Sequence, residues 1–177
     1  MKPFLIFVVD DDPLFLKMIS EQLDSTRLLR KYEHNIESFT VGETCIEHLS
    51  DKPEVIILDY TLNTNFEEAA NGMSILKKIK SHDPKIVVIM VSVQDNLSVA
   101  NSLYEAGCDD YIMKNESVFS RTDKAVWNVF EKINMNKKIR QMNNRNRIFK
   151  ILIFCLLGII LLLYGNTSVA SNLIKVL

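Results

Sequence analysis

The sequence predicts an α/β fold, in which a parallel sheet is covered by helices on both faces, followed by a separate tail. Short, continuously apolar runs alternate five times with segments whose apolar residues recur at helical spacing. Strands that are buried on both faces of a parallel sheet have this continuous apolar character. Charge is also divided along the chain. Residues 1–133 carry 14 basic and 22 acidic side chains, a net charge of −8, whereas residues 134–177 carry seven basic side chains and no acid.

The first half of the body contains three predicted strands and two predicted helices. Residues 4–9 are wholly apolar and form the first strand, and residues 13–28 place apolar side chains at helical spacing after Pro13, a residue that suits a first helical turn. Weaker patterns predict a strand at 36–39 and a short helix at 42–49, and the apolar run at 55–58 predicts the third strand.

The second half of the body repeats the alternation after a polar stretch that ends at Asn71 and Gly72. Helical spacing predicts helices at 73–79 and 96–106, the latter followed by Gly107, a residue typical of a helix C-terminus. The strands are predicted at 86–91, which is rich in β-branched residues, and at 111–113. A last helix begins near Thr122 and continues through the basic stretch.

Composition restricts the class of protein. Of the 177 residues, 47% are hydrophobic and 24% charged, which excludes disordered, collagen-like and disulfide-scaffold proteins. The cysteines Cys45, Cys108 and Cys155 are odd in number and lack metal-ligand spacing, which favours a reducing compartment. No signal peptide is predicted, because acidic residues interrupt the first apolar run after six residues.

Polar side chains follow the predicted strands at the edge of the sheet where ligands bind in open α/β folds. In chain order they are Asp10, Asp11, Asp12, Asp59, Ser92 and Lys114. Neighbouring carboxylates need a cation, and an all-oxygen, highly charged ligand set suits Mg²⁺. A carboxylate can also act as a nucleophile that forms an acyl phosphate, with a metal ion and a lysine stabilising the transferred phosphoryl group.

These residues, with their surroundings, give residues 3–133 a clear resemblance to the receiver domain of two-component response regulators. The resemblance rests on Val8-Val9-Asp10-Asp11-Asp12-Pro13, Leu58-Asp59, Asn71-Gly72, Val91-Ser92, Ala106-Gly107-Cys108-Asp109-Asp110-Tyr111 and Lys114. It implies a flavodoxin-like (βα)5 doubly wound parallel sheet with the strand order 2-1-3-4-5.

The resemblance also implies roles for individual residues. Asp59 would accept the phosphoryl group, with Lys114 beside it. Asp59, Asp11 and the backbone carbonyl of Thr61 would hold Mg²⁺ directly, and Asp10 would hold it through water.

A second pair is implied to report on phosphorylation. The Ser92 hydroxyl would move towards the phosphoryl group and the Tyr111 ring would rotate inward. Asp12 matches no required position, so a solvated side chain is expected there.

The chain departs from the usual family pattern around the site. Asn63 stands where proline is usual, and residues 63–70 lengthen the adjoining loop, which either gates the site or is a tolerated surface insertion. Asn115 replaces a proline after Lys114, so a trans peptide is expected, because a cis bond without proline costs about 3–4 kcal/mol. Val93 is expected to narrow the approach to Asp59 and slow phosphoryl exchange.

The tail reads as a membrane segment. Residues 151–174 contain no charge, and about 20 residues span roughly 30 Å as a helix, the thickness of a bilayer core. A transmembrane helix is therefore predicted at 151–172, after a basic juxtamembrane helix at 134–150 and before a short tail at 173–177. The excess of positive charge before the span places the body in the cytoplasm. A buried terminal helix or an oligomerising helix remains open.

Together these features predict a phosphoacceptor, not an enzyme, with a single receiver domain tethered to a membrane by a single-pass anchor. Its Mg²⁺-dependent phosphorylation would switch protein contacts. The expected partners are a histidine kinase or histidine phosphotransfer protein and an unknown downstream protein, with a second copy of the chain as a further candidate. Nucleic acid is not expected, because the basic stretch lacks interleaved aromatic residues.

Two other functions are open. The first is a receiver-like docking module at the membrane that is never phosphorylated. The second is a haloacid-dehalogenase-type phosphatase, which would need an acid two residues after its nucleophile, where this chain has Thr61.

Overall fold

The computed structural model describes residues 3–26, 33–62, 71–94 and 96–174, with side chains described as far as Ile159. The chain divides into two units, Met1–Glu131 and Lys132–Leu177. The first unit contains the sheet and the acidic residues that follow its strands.

A five-stranded parallel sheet forms the centre of the first unit. Its strands are β1 (Phe4–Val9), β2 (His34–Phe39), β3 (Val55–Asp59), β4 (Val87–Ser92) and β5 (Asp110–Met113). Their order is β2-β1-β3-β4-β5, which confirms the predicted doubly wound sheet and its order. Every residue of β1 and β3 is buried, which explains their unbroken apolar sequences, whereas β2 lies at an edge and is mostly part-exposed.

Five α-helices complete the fold within the described residues. They are α1 (Pro13–Ser25), α2 (Gly42–Glu47), α3 (Gly72–His82), α4 (Leu97–Glu105) and α5 (Val118–Ile174), with a 3₁₀ turn at Leu49–Asp51. The prediction of one long last helix through the basic stretch is confirmed. Helix α3 begins one residue earlier than predicted, because the Asn71 side chain accepts a hydrogen bond from the Ser74 amide at 3.0 Å.

The two ends of the sheet are fixed by different means. At the amino ends, the Lys80 ammonium donates to Asp109 Oδ2 at 2.6 Å and to the Ile86 carbonyl at 2.7 Å. The same Asp109 oxygen accepts a hydrogen bond from the Val88 amide at 2.9 Å. This network ties α3 to the start of β4 and to the turn before β5. At the carboxyl ends the strands terminate in the acidic residues and Lys114.

The second unit consists of the later part of α5. Its large apolar side chains between residues 148 and 159 are exposed, with Phe154 at 81%. Among the helices in the described part of the chain, none has both the length and the hydropathy that a membrane crossing requires. The transmembrane helix predicted at 151–172 is therefore not supported, and the side chains of its residues 160–172 lie outside those described.

Candidate functional site

Three carboxylates converge at the carboxyl ends of β1 and β3. Strands β1 and β3 are neighbours, and the pairing of Val9 with Leu58 places Asp10 beside Asp59. Asp10 is 1% and Asp59 3% exposed, and Asp11 is partly buried. One oxygen from each of the three lies within 4.8 Å of the others. The structure thus brings together the acidic residues that the sequence predicted as metal ligands.

Lys114 follows the edge strand β5, and its side chain reaches this cluster. Its ammonium lies 2.6 Å from Asp10 Oδ2 and 2.8 Å from Asp59 Oδ1, with the side chain 17% exposed. Its backbone amide donates to the Ser92 carbonyl at 2.7 Å, which fixes the start of its side chain beside β4. One cation therefore bridges two buried carboxylates.

Backbone amides hold the other oxygens of the same carboxylates. The Asp12 amide donates to Asp10 Oδ1 and the Thr61 amide donates to Asp59 Oδ2, each at 3.0 Å. In each buried carboxylate, one oxygen consequently contacts the Lys114 ammonium and the other accepts a hydrogen bond from a backbone amide. These two contacts fix the plane of the carboxylate. The Asp12 side chain is exposed, as predicted, and caps α1 by accepting from the Leu14 amide at 2.9 Å.

Burial and ion pairing shift the pKa values of Asp10, Asp59 and Lys114. Burial raises the pKa of Asp10 and of Asp59 above the usual carboxyl range, and the hydrogen bonds from Lys114 offset only part of that rise. Burial alone would lower the pKa of Lys114, but its two carboxylate partners outweigh burial and raise it. Burial thus disfavours the ionised form of each carboxylate more than Lys114 favours it.

A divalent cation fits this arrangement. Three carboxylates from two adjacent strand ends supply only hard oxygen ligands, which suit Mg²⁺ better than a softer transition metal. Asp10, Asp11 and Asp59 are the residues that would hold the ion, and their role as ligands stays a prediction. Coordination of the ion by the Thr61 carbonyl stays a prediction. The contact that Thr61 makes at the site is the hydrogen bond from its backbone amide to Asp59.

Added Mg²⁺ is expected to stabilise the full chain against unfolding, more strongly as pH rises. Carboxyl groups whose folded pKa is raised favour the folded state at low pH, and that contribution is lost as pH rises through the raised pKa. Mg²⁺ binds the ionised groups and reverses the loss. At 10 to 100 times its Kd, Mg²⁺ should add about 1–3 kcal/mol near neutral pH and little near pH 4, in urea titrations.

Two variants make this prediction specific to the buried carboxylates. Asp59→Asn should remove most of the Mg²⁺ effect. Asp12→Asn should keep it, because Asp12 is exposed and asparagine caps a helix as well as aspartate. An equal effect in all three proteins, or one that does not change with pH, would show that the ion binds elsewhere.

The predicted switch residues are joined through one loop residue. Ser92 is fully buried, and its Oγ accepts a hydrogen bond from the Gln94 amide at 3.1 Å. The Tyr111 hydroxyl donates to the carbonyl of the same Gln94. The hydroxyl and the ring are therefore linked by a single segment after β4, although their movement stays a prediction.

Other predictions around the site have mixed outcomes. The peptide between Lys114 and Asn115 is trans, as expected. Val93 is 66% exposed, and its effect on access to Asp59 stays a prediction. The long loop at residues 63–70 lies outside the described residues.

One glycine has a role at the site that sequence reasoning did not identify. A Cβ atom on Gly72 would lie 2.3 Å from the Asp59 carbonyl oxygen and 2.7 Å from the Tyr60 Cα. The Gly72 amide donates to the Tyr60 carbonyl at 3.0 Å, so α3 starts directly against the backbone of the candidate phosphoacceptor. A glycine directly after Asn71 at a helix start can indicate that another segment of backbone lies close by. The sequence does not indicate that this segment is the end of β3.

A sequence profile of the response regulator receiver domain matches residues 6–121. The probable transcriptional regulatory protein TcrX of Mycobacterium tuberculosis is 29% identical over 119 residues, which cover 66% of this chain and 46% of that protein. The transcriptional regulatory protein CssR of Bacillus subtilis is 30% identical over 111 residues, which cover 63% and 44%. The chain thus spans less than half the length of these curated relatives.

Solved structures show the same fold. The BeF3-activated DrrB receiver domain is 28% identical, with a TM-score of 0.53, covering 69% of this chain and 96% of that one. A CheY-like receiver domain protein from Methanospirillum hungatei superposes with a TM-score of 0.62 at 20% identity, covering 76% and 99%. In each case the similarity extends over more than two thirds of this chain.

Proposed function

The chain belongs to the response regulator receiver domain family, and from that membership we propose that it accepts a phosphoryl group on Asp59. The observation that carries the proposal is the buried cluster of three carboxylates bridged by Lys114. The donor would be a phosphohistidine on a histidine kinase or a histidine phosphotransfer protein. The match to the receiver domain family favours this function over the phosphatase alternative.

The geometry suits phosphoryl transfer to a carboxylate. A carboxylate oxygen of Asp59 would form a bond to phosphorus as the bond from phosphorus to the histidine nitrogen breaks, and the imidazole, already protonated on its other nitrogen, would leave as a neutral ring. Lys114, 2.8 Å from Asp59 Oδ1, would offset the negative charge on the phosphoryl oxygens. Mg²⁺ bound to the carboxylates would neutralise charge on the acceptor and on the phosphoryl group. The Thr61 amide keeps the other Asp59 oxygen in a fixed place.

The response would be a change in protein contacts, with no substrate turned over beyond the transfer and loss of the phosphoryl group. The Ser92 hydroxyl would turn to donate to a phosphoryl oxygen on Asp59, which would weaken the hydrogen bond that its Oγ now accepts from the Gln94 amide. Because Gln94 also accepts from Tyr111, a shift at Ser92 would reach the ring. The downstream partner would therefore be a protein that contacts the segment after β4.

Intact mass spectrometry tests the proposal. After incubation of the full chain with Mg²⁺ and acetyl phosphate, we expect one phosphoryl adduct, and none for Asp59→Ala. The adduct should be lost in mild base, as an acyl phosphate is. A folded protein that takes no adduct, while a control receiver does, would instead favour a docking module.

Attachment to the inner face of a membrane is a further part of the proposal. It is supported by the uncharged run at 151–174, the six basic residues between 137 and 150, and the exposed apolar side chains from Ile148 to Ile159. In cell fractionation the full chain should sediment with membranes and resist high salt, and a chain ending at Arg147 should not. Identical behaviour of the two proteins would contradict the tether.

A further inference from the structure

An aromatic ring from α1 lies against the bridging lysine. The Lys114 ammonium is 4.5 Å from the centroid of the Phe15 ring, on the ring face. Phe15 is half-buried, and the Lys114 side chain is 17% exposed, so much of the contact is shielded from water. A cation over an aromatic face is attracted by the ring quadrupole, more strongly as water is excluded.

The Phe15 ring is itself supported. Phe119, in the first turn of α5, stacks on Phe15 with the ring centroids 6.0 Å apart and the planes 27° from parallel. Two aromatic rings in this arrangement attract each other, and this attraction adds to the stabilisation that comes from burying their apolar surface. The pair thus fixes the orientation of the face that Lys114 meets.

Lys114 needs such a partner because its side chain is long and its other contacts change when the site is used. A lysine ammonium is a point charge on a flexible four-carbon stem. Its two carboxylate partners, Asp10 and Asp59, would be shared with a metal ion and a phosphoryl group. The Phe15 ring attracts the ammonium without adding another anion to a site that already holds three carboxylates.

We propose that Phe15 is a positioning residue that acts through Lys114, holding the ammonium beside Asp59 while the phosphoryl group arrives. This inference rests on the proposed function, since it concerns the rate at which Asp59 is phosphorylated. Phe15 would touch neither the donor nor the metal ion. The effect would come from the negative charge on the ring face, and not from its volume.

Fluorinated phenylalanines separate ring charge from ring volume, because each added fluorine weakens the face potential with little change in shape. In the full-length chain, one to three fluorines at Phe15 should slow phosphorylation by acetyl phosphate stepwise, by about three- to tenfold in total. The affinity for beryllofluoride with Mg²⁺, a readout without chemistry, should fall in the same order. Phe15→Tyr should retain the rate, and Phe15→Leu should match the trifluorinated ring.

The matched control is the same series at Phe4, a buried ring that packs edge-on against Phe130 at 5.3 Å. Fluorines there should leave both readouts unchanged. If the wild-type chain is phosphorylated but the Phe15 series is flat, or no steeper than the Phe4 series, the positioning role is wrong and the phosphoacceptor function stands. If the wild-type chain takes no phosphoryl group, the proposed function fails and this inference fails with it.

Discussion

Lys114→Met is expected to lower the free energy of unfolding by about 3 kcal/mol near neutral pH and to slow phosphorylation of Asp59 by about 100-fold or more. Methionine keeps the apolar part of the side chain but removes the ammonium that lies 2.6 Å from Asp10 and 2.8 Å from Asp59. Two carboxylates that are 1% and 3% exposed would then be buried without this partner. Urea unfolding and the rate of phosphorylation by acetyl phosphate measure the two effects.

The loss of stability in Lys114→Met should depend on pH with a definite sign. Burial already raises the pKa of Asp10 and Asp59, and loss of the lysine would raise it further, so both groups become neutral at a higher pH. The destabilisation should therefore be full near neutral pH and fade as pH falls towards about 4.

Lys17→Met serves as the control for Lys114→Met. Lys17 is exposed and lies 3.9 Å from the exposed Glu21, a pair that contributes little to stability. If Lys114→Met cost no more than Lys17→Met at neutral pH, the lysine bridge would not be stabilising the buried carboxylates.

Gly72→Ala is expected to destabilise the fold by about 3 kcal/mol, the upper end of the usual cost of overpacking. The added methyl would meet the Asp59 carbonyl oxygen at 2.3 Å and the Tyr60 Cα at 2.7 Å, and these are backbone atoms at the end of a buried strand. Relief requires α3 or the end of β3 to move, so phosphorylation of Asp59 should slow as well. The urea midpoint and the rate with acetyl phosphate are the measurements.

Gly42→Ala is the matched comparison for Gly72→Ala. A Cβ on Gly42 would also be too close to its neighbours, but the nearest atoms, at 2.7 Å and 2.8 Å, belong to the Ile75 side chain, which can change its torsion angles. Its cost should be clearly smaller, with little effect on phosphorylation. Equal costs for the two variants would mean that the backbone beside Asp59 yields as easily as a side chain does.

The fold could be predicted from sequence because two of its central strands are buried along their whole length. Strands β1 and β3 are apolar at every position before their acidic ends. An unbroken apolar run of this kind predicts a strand that is buried on both faces of a parallel sheet. Strand β2 was a weaker prediction, since its place at the sheet edge leaves most of its residues part-exposed. The helix ends were less accurate, because caps such as Asn71 act through single side chains.

Only the site residues that lie at or directly after the end of a strand could be predicted from the sequence. Asp10, Asp59, Ser92 and Lys114 all stand directly after strands or at their last residue, and the parallel order brings those ends together. The Phe15 face and the Gly72 approach depend on how α1 and α3 pack against the sheet. Those distances are set by tertiary structure, which residue spacing along one chain does not contain.

Phosphorylation of Asp59 is tested most directly by locating the residue to which the phosphoryl group is attached. After treatment of the full chain with Mg²⁺ and acetyl phosphate, borohydride reduces an aspartyl phosphate to homoserine, which tandem mass spectrometry of peptides can locate. We expect conversion at Asp59 alone, and none in Asp59→Asn or without a phosphodonor. Conversion at another aspartate, or no conversion in a folded chain under conditions that label a control receiver, would contradict it.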